Sequence, residues 1–331
     1  MDADTHLLLI RFSALGDILM TVPVIDALAQ CYPDVHITVV SRPYVGSVMQ
    51  LLPANVDFVG IDPRDIGLGR LYRELAALKP THVCDLHDVL RTKYLRLRFH
   101  LAGKPVSHII KDRRARRAFL HAEVKTQQPT PFTRYAEALA RLGFPVEINP
   151  SQRFSLAGVS HSPSSESVLR IGVAPFAAHE GKVYPLPRME RVVQLLSERG
   201  VQVFLFGAGE RERQLMEEWA ERYEGVQSMV GRMENMAAEL HFMARLDLML
   251  TMDSGNMHLA SLAGVRVVSI WGATHPLAGF LGWGQRMEDV IQLPLPCRPC
   301  STYGNHPCRF GDWRCLMGIE PGEVVRRVVA E

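Results

Sequence analysis

Short apolar runs at 7–12, 36–41, 56–61, 81–86 and 106–110 punctuate the first half of the chain. Between and after them, at 18–30, after Arg42, at 68–78, 90–101 and 133–142, apolar residues recur every three or four positions. The short runs predict buried strands and the longer stretches amphipathic helices. Strands alternating with helices imply parallel βαβ units. The polar stretch 158–167, Gly-Val-Ser-His-Ser-Pro-Ser-Ser-Glu-Ser, breaks the rhythm and predicts a linker. Alternation then resumes, with strands at 169–174, 201–206, 226–230, 248–251 and 265–271 and helices at 187–199, 211–223, 235–245 and 256–263. From 294 the chain is rich in Cys, Pro and Gly until a short helix begins at Pro321. The pattern predicts an α/β protein of two doubly wound Rossmann-like domains. The first covers 1–157 and the second 168–331, with a last helix able to pack back on the first domain. Two such domains place a ligand in the cleft between them, at the C-terminal ends of their strands.

Composition agrees with this picture. At 331 residues, 47% hydrophobic and 22% charged, the chain can bury two ordinary cores. No apolar run reaches the roughly 18 to 20 residues that span a bilayer, and the first six residues carry two acids. A cytoplasmic location is therefore expected, with the six cysteines reduced or bound to metal. A net charge of +2 does not call for a nucleic-acid partner. Cations nevertheless cluster at Arg91, Lys93, Arg96 and Arg98 and again at Lys111, Arg113, Arg114, Arg116 and Arg117. Such density in a nearly neutral chain suggests an anionic partner, either a phosphorylated acceptor or an anionic membrane surface.

Candidate chemistry sits where strands give way to helices. Asp17 follows the first strand through Phe-Ser-Ala-Leu-Gly-Asp, at a helix start facing the cleft. A carboxylate there either caps the helix or removes a proton from an attacking hydroxyl. Lys182, in a loop after a second-domain strand, suits the growing negative charge of a departing diphosphate; an exposed loop lysine is the alternative. After the next strand, Gly207-x-Gly209 lacks the third glycine of a dinucleotide fingerprint, which disfavours a nicotinamide oxidoreductase. Glu210 behind it either caps a helix or accepts hydrogen bonds from ribose hydroxyls.

The most informative segment is Asp253-Ser254-Gly255-Asn-Met-His258, where a buried strand ends and a helix begins with free N–H groups. Gly255 would let phosphate approach the backbone there. Asp253 can act as a cap, and His258 can be a packed core residue or a ligand. Cys297, Cys300, Cys308 and Cys315 have a spacing that a structural zinc can use, although the second pair lacks a tight Cys-x-x-Cys turn.

Taken together, the Ser-Ala-Leu-Gly-Asp start, the Lys182 loop, the Asp253-Ser-Gly-x-x-His motif with its following Gly-Ala-Thr-x-Pro, Arg134-Tyr135 and the cysteine-rich tail resemble the ADP-heptose:lipopolysaccharide heptosyltransferase family, glycosyltransferase family 9. The resemblance covers nearly the whole chain. It implies a GT-B fold and an inverting transfer that needs no metal, from an ADP-activated heptose or related sugar to a lipopolysaccharide inner core. It also implies Asp17 as general base and Lys182 on the diphosphate. The donor would be held by Glu210, with Glu212 as alternative, and by Asp253, Ser254, Gly255 and His258. Arg91, Lys93, Arg113 and Arg114 are the acceptor-side candidates. Where family members often carry Thr or Ser before the lysine, this chain has Ala177-Ala178, so one phosphate contact is missing. Competing readings are transfer from another nucleotide sugar, a nucleotide-sugar epimerase or hydrolase, and a non-catalytic protein that binds a nucleotide sugar or lipopolysaccharide.

Overall fold

The computed structural model describes residues 5–151, 154, 156, 158–162 and 168–329. Residues 163–167 of the expected linker, and Asp2 and Asp4, lie outside the described residues. In chain order the first half forms β1 (His6–Ile10), α1 (Leu15–Leu19), α2 (Val22–Cys31), β2 (His36–Ser41), α3 (Gly46–Met49), β3 (Val56–Gly60), α4 (Leu68–Ala77), β4 (His82–Asp85), α5 (Leu90–Leu101), β5 (Val106–His108), α6 (Arg113–His121) and α7 (Pro131–Ala140). The second half forms β6 (Arg170–Ala174), α8 (Leu186–Ser197), β7 (Gln202–Leu205), α9 (Glu210–Arg222), β8 (Val226–Ser228), α10 (Met236–Met243), β9 (Leu248–Met252), α11 (Gly255–Leu262), β10 (Arg266–Ile270), β11 (Val290–Ile291), α12 (Arg314–Met317) and α13 (Pro321–Val329).

Both sheets are parallel. Their orders are β3-β2-β1-β4-β5 and β11-β10-β9-β6-β7-β8. Each order reverses direction once, between β1 and β4 and between β6 and β9, and ligands bind at the C-terminal ends of such neighbouring strands. The segments leaving these four strands carry Asp17, His87, Lys182 and Asp253.

Strand residues alternate faces. Leu8 and Ile10 of β1 pack with Leu71 and Leu75 of α4 and Leu95 and Phe99 of α5, whereas Leu7 and Leu9 pack on the α1, α2 and α7 side. In β9, Leu248, Leu250 and Met252 belong to the core under α8 and α9, and Met249 points to the opposite face. Both faces of these strands are buried, so they read in sequence as continuous apolar runs.

Three features depart from the sequence reading. The helix expected over 18–30 is two helices, because proline lacks an N–H and clashes with the carbonyl four residues before it. Pro23 therefore sits in the first turn of a restarted helix, α2, with the Thr21 hydroxyl donating to Ile18 O at 2.6 Å in the break. The basic run from 113 is itself a helix, α6, capped by Asp112, whose carboxylate accepts from Ala115 N at 2.9 Å. The last helix, α13, does not return to the first domain. Its Val324, Val325 and Val328 fill the second-domain core beside Met189, Val192 and Val193 of α8, and Tyr184 Oη donates to Ile319 O at 2.7 Å just before it.

The two domains meet along an apolar seam. One buried cluster continues from Leu28, Phe132 and Leu139 of the first domain into Met249, Met257 and Trp283 of the second. Phe132 meets Trp283 edge-on with centroids 5.1 Å apart, and Gln128 N donates to Leu277 O at 2.9 Å. At the cleft the first turns of α1 and α11 touch. A Cβ on Gly16 would lie 2.6 Å from His258 Cδ2, and one on Gly255 would lie 2.8 Å from Leu15 Cδ2. Each helix thus offers a glycine to a large side chain of the other.

Gly16→Val is expected to lower stability by about 1–3 kcal/mol, the usual cost of overpacking, in denaturant unfolding. Gly69→Ala in α4, with open space around its Cβ position, should leave stability unchanged or raise it by up to about 1 kcal/mol.

Candidate active site

Asp17 stands in the first turn of α1, where the chain turns away from β1. Its carboxylate meets Arg11 Nη2 at 2.7 Å. Arg11 is buried; its Nη1 donates to Leu86 O at the end of β4, and its guanidinium lies 5.6 Å from the Tyr135 ring centroid. The Tyr135 hydroxyl, which burial holds protonated well above the ordinary phenol range, donates to the backbone carbonyl of Asp17 at 3.1 Å. Asp17 is therefore gripped at side chain and backbone by two buried residues, while its carboxylate stays partly open to the cleft. Capping is the lesser part of its role, since its Oδ2 is 3.4 Å from Ala14 N. Beside it His87 Nε2 lies 3.1 Å from Ser13 Oγ, and burial, with Arg11 and Lys111 nearby, pushes its pKa down to about 3. His87 is a neutral imidazole at physiological pH.

Across the cleft, Lys182 ends a short 3-10 turn, Glu180–Lys182. Its Nζ lies 3.0 Å from Asp253 Oδ2, and the same oxygen accepts from Thr274 Oγ1 at 2.8 Å. Asp253 is buried, so its charge is matched by a cation and a hydroxyl, as a buried carboxylate requires. Its direct work is to aim Lys182. Gly304 of the cysteine-rich lobe lies flat on the lysine stem, where a Cβ would come 2.6 Å from Lys182 Cγ.

Ser254 stands at the N-terminal boundary of α11 without bonding to its first turn, and its buried Oγ has no partner among the described residues. The free N–H groups of that first turn open on the cleft beside Lys182, a ready place for an anion. Gly255 serves the domain contact with Leu15. His258, one turn on, packs on Gly16; burial lowers its pKa to about 4, so it is a neutral spacer between the helices.

Asp17, Lys182, Asp253, Ser254, Gly255 and His258 all line one cleft of about 680 Å³. Glu210 does not. Its carboxylate is exposed and held by Arg213 at 2.5 Å and Gln214 at 3.0 Å. Glu212 lines the cleft instead, accepting from Ala208 N at 2.8 Å. Phe176, Ala177 and Ala178 give the loop before Lys182 an apolar wall. Several cleft residues carry no signal in the sequence, among them Arg11, His87, Asn256 and Glu239. Burial lifts the Glu239 pKa to about 7, and nothing in the apolar rhythm of α10 marks it out.

The acceptor-side candidates scatter. Arg91 and Lys93 on α5 and Arg114 on α6 line neither this cleft nor the larger cavity beside it, and Lys93 lies 3.9 Å from Asp88. Arg113 lines the larger cavity, and Lys111 and Arg116 line both spaces.

The cysteine lobe is not assembled as a metal site. Among the described residues no three His, Cys, Asp or Glu side chains come together to hold an ion, and Cys297, Cys300, Cys308 and Cys315 are free thiols. The buried Arg298 organises this segment, donating to Gly272 O, to Leu293 O at 2.7 Å and to Thr274 O at 2.9 Å. Structural zinc is therefore without support. Among the described residues no helix is long and apolar enough to cross a membrane.

Comparison with known proteins places this architecture. The chain resembles the E. coli ADP-heptose lps heptosyltransferase II structure at a TM-score of 0.68 and 19% identity, covering 98% of each chain. It resembles E. coli heptosyltransferase WaaC with ADP at 0.67 and 16% identity, covering 88% of this chain and 94% of that one. These likenesses show the GT-B fold. Lipooligosaccharide heptosyltransferase 2 of Campylobacter jejuni subsp. jejuni serotype O:6 is 24% identical over 133 residues, which span 38% of this chain and 40% of that relative. The model of glycosyltransferase family 9 (heptosyltransferase) matches residues 72–309, from α4 of the first domain into the cysteine-rich lobe of the second. The chain therefore belongs to glycosyltransferase family 9, the heptosyltransferases.

Proposed function

We propose that this protein transfers a heptose or related sugar from an ADP-activated donor to a lipopolysaccharide inner-core acceptor, by a single displacement that inverts the anomeric centre. The observation that carries this reading is a carboxylate and an ammonium on opposite walls of one cleft, with a helix N-terminus beside the ammonium. Family membership and the name of the Campylobacter relative support heptose as the sugar. The E. coli structures described as containing ADP and ADP-2-deoxy-2-fluoro heptose support an adenine nucleotide.

In this mechanism Asp17 takes the proton of the acceptor hydroxyl as that oxygen attacks the anomeric carbon. The bond from this carbon to the diphosphate oxygen breaks, and the nucleotide diphosphate leaves with its growing charge on Lys182 and the N–H groups at Ser254–Gly255. Preorganised donors of this kind act where charge develops and supply most of the stabilisation, so no metal is required. Arg11 keeps the Asp17 carboxylate aimed. Asp253, itself bonded by Thr274, holds Lys182 until a diphosphate competes for it, Glu212 accepts from the ribose, and Ala177 and Ala178 leave the diphosphate to the lysine and the helix. The acceptor approaches from the basic first-domain side. A cytoplasmic protein in peripheral contact with the inner face of the inner membrane fits such an acceptor.

Asp17→Asn should cut transfer by about 10²–10⁴-fold, the usual worth of a general base, while ADP affinity in calorimetry changes less than twofold. Substantial residual transfer would remove Asp17 from the reaction. Lys182→Met should lower kcat by about 10²–10³-fold and also weaken ADP, because this contact forms with the ground-state diphosphate as well. A panel of ADP-, UDP- and GDP-sugars, assayed by nucleotide release with and without truncated lipopolysaccharide, tests the donor. Turnover with only a UDP- or GDP-sugar would overturn the heptose assignment.

A further inference from the structure

A cavity of about 1540 Å³ lies beside the cleft, between α6 of the first domain and the cysteine-rich lobe of the second. Its lining holds seven lysine and arginine side chains and one carboxylate, Glu123. That imbalance is local, since the whole chain carries only +2. None of the seven forms an ion pair among the described residues, whereas Arg64, Arg213, Arg266 and Arg314 elsewhere each pair with a carboxylate.

Several of these cations have internal work. Lys125 donates to three backbone carbonyls at the end of α6, and buried Arg298 holds the lobe to the strand ends. Lys111 donates to Asp88 O at 3.1 Å, and Arg116 donates to Tyr303 Oη of the lobe at 2.7 Å. Arg113 and Arg117 are exposed and without a hydrogen-bond or ion-pair partner among the described residues. On another part of the lining Arg309 is exposed and lies 4.6 Å from the centroid of the Phe310 ring, with no ion pair among the described residues and His306 in the same lining. Unpaired guanidinium groups converging on a concavity are suited to phosphate, which they bind through paired N–H donors. The hollow shape favours a discrete ligand over a flat membrane surface. Lys111, Arg116, Thr302 and Tyr303 line both this cavity and the cleft, so the two spaces are continuous.

We propose that this cavity is the seat of clustered phosphate groups on the acceptor, gripped between Arg113 and Arg117 of α6 and Arg309 of the cysteine-rich lobe. The assignment of those phosphates to the acceptor rests on the transferase reading above. In this arrangement the lobe is a binding wall, and the acceptor is held by both domains while its hydroxyl reaches Asp17. The burial that lowers the His275 pKa to about 4 is reinforced by Arg298 and Lys125, in keeping with a positive field at the floor of the cavity.

The test is calorimetric titration of wild type and of the Arg117→Glu/Arg309→Glu double variant. The ligands are a deacylated, phosphorylated inner-core saccharide, its enzymatically dephosphorylated form, phosphatidylglycerol vesicles, and ADP. The double variant is expected to bind the phosphorylated saccharide at least about tenfold more weakly. The dephosphorylated saccharide, vesicle binding and ADP affinity should change less than twofold, with an unaltered thermal melt. Arg309→Glu alone should produce part of the loss, which isolates the lobe's contribution. Equal binding of the phosphorylated saccharide by wild type and double variant would overturn the site. A loss confined to the vesicles would overturn the acceptor assignment and identify lipid headgroups as the source of phosphate. Arginine-dependent saccharide binding in a protein that transfers from no ADP-sugar would support the anion site while removing the transferase reading.

Discussion

The cleft owes its width to the contact between the first turns of α1 and α11. Gly16 accepts the His258 ring and Gly255 accepts Leu15, so two helix starts from different domains approach as closely as their backbones permit. Everything chemical is placed relative to that contact. Asp17 follows Gly16 by one residue, and Ser254 precedes Gly255 by one. An opening of an ångström or two at the glycines would separate Asp17 from the start of α11 by the same amount, and groups that must act together lose much of their advantage when displaced by about 1 Å. The neutral state of His258, which burial imposes despite Asp253 and Asp17 nearby, suits a ring pressed against a backbone.

Within the cleft, each functional charge is matched by a buried partner. Arg11 answers Asp17, and Asp253 answers Lys182. In both pairs the partner is more deeply buried than the residue facing the ligand, so the pair fixes direction as well as charge. Removing either buried partner would strand its mate without solvation, a larger disturbance than the pair's own net contribution to stability. The two pairs arise from equivalent points of the two sheets, beside the strands where the order reverses. A common topology has thus been given opposite charges on its two faces.

Much of this was legible in the amino-acid sequence, for a physical reason. Parallel strands buried on both faces must be apolar throughout, so β1, β6, β9 and β10 stand out against their polar neighbours. The residues that follow them fall at the sheet edge by topology alone. Phase was harder to read. Glu210 and Glu212 are two positions apart, nearly opposite one another on a helix of 3.6 residues per turn, and only the backbone turn at Gly209, with φ +85°, decides which faces the cleft. Helix α6 was hidden because Phe119 is its one buried residue, leaving too little apolar periodicity to see. The cysteine spacing suggested a metal; the arginine buried between those cysteines, which holds the lobe through backbone carbonyls, has no counterpart in a spacing rule.

The opposed walls of the basic cavity also bear on how the molecule moves. Arg113 and Arg117 belong to one domain and Arg309 to the other, so like charges from both sides of the domain boundary line one space. Like charges gathered round one space repel, with a reach of about 8 Å at physiological ionic strength. An anion entering between them reverses the sign of that force. The charge of what the cavity holds therefore bears on how readily its two walls approach, and the surrounding salt tunes that effect.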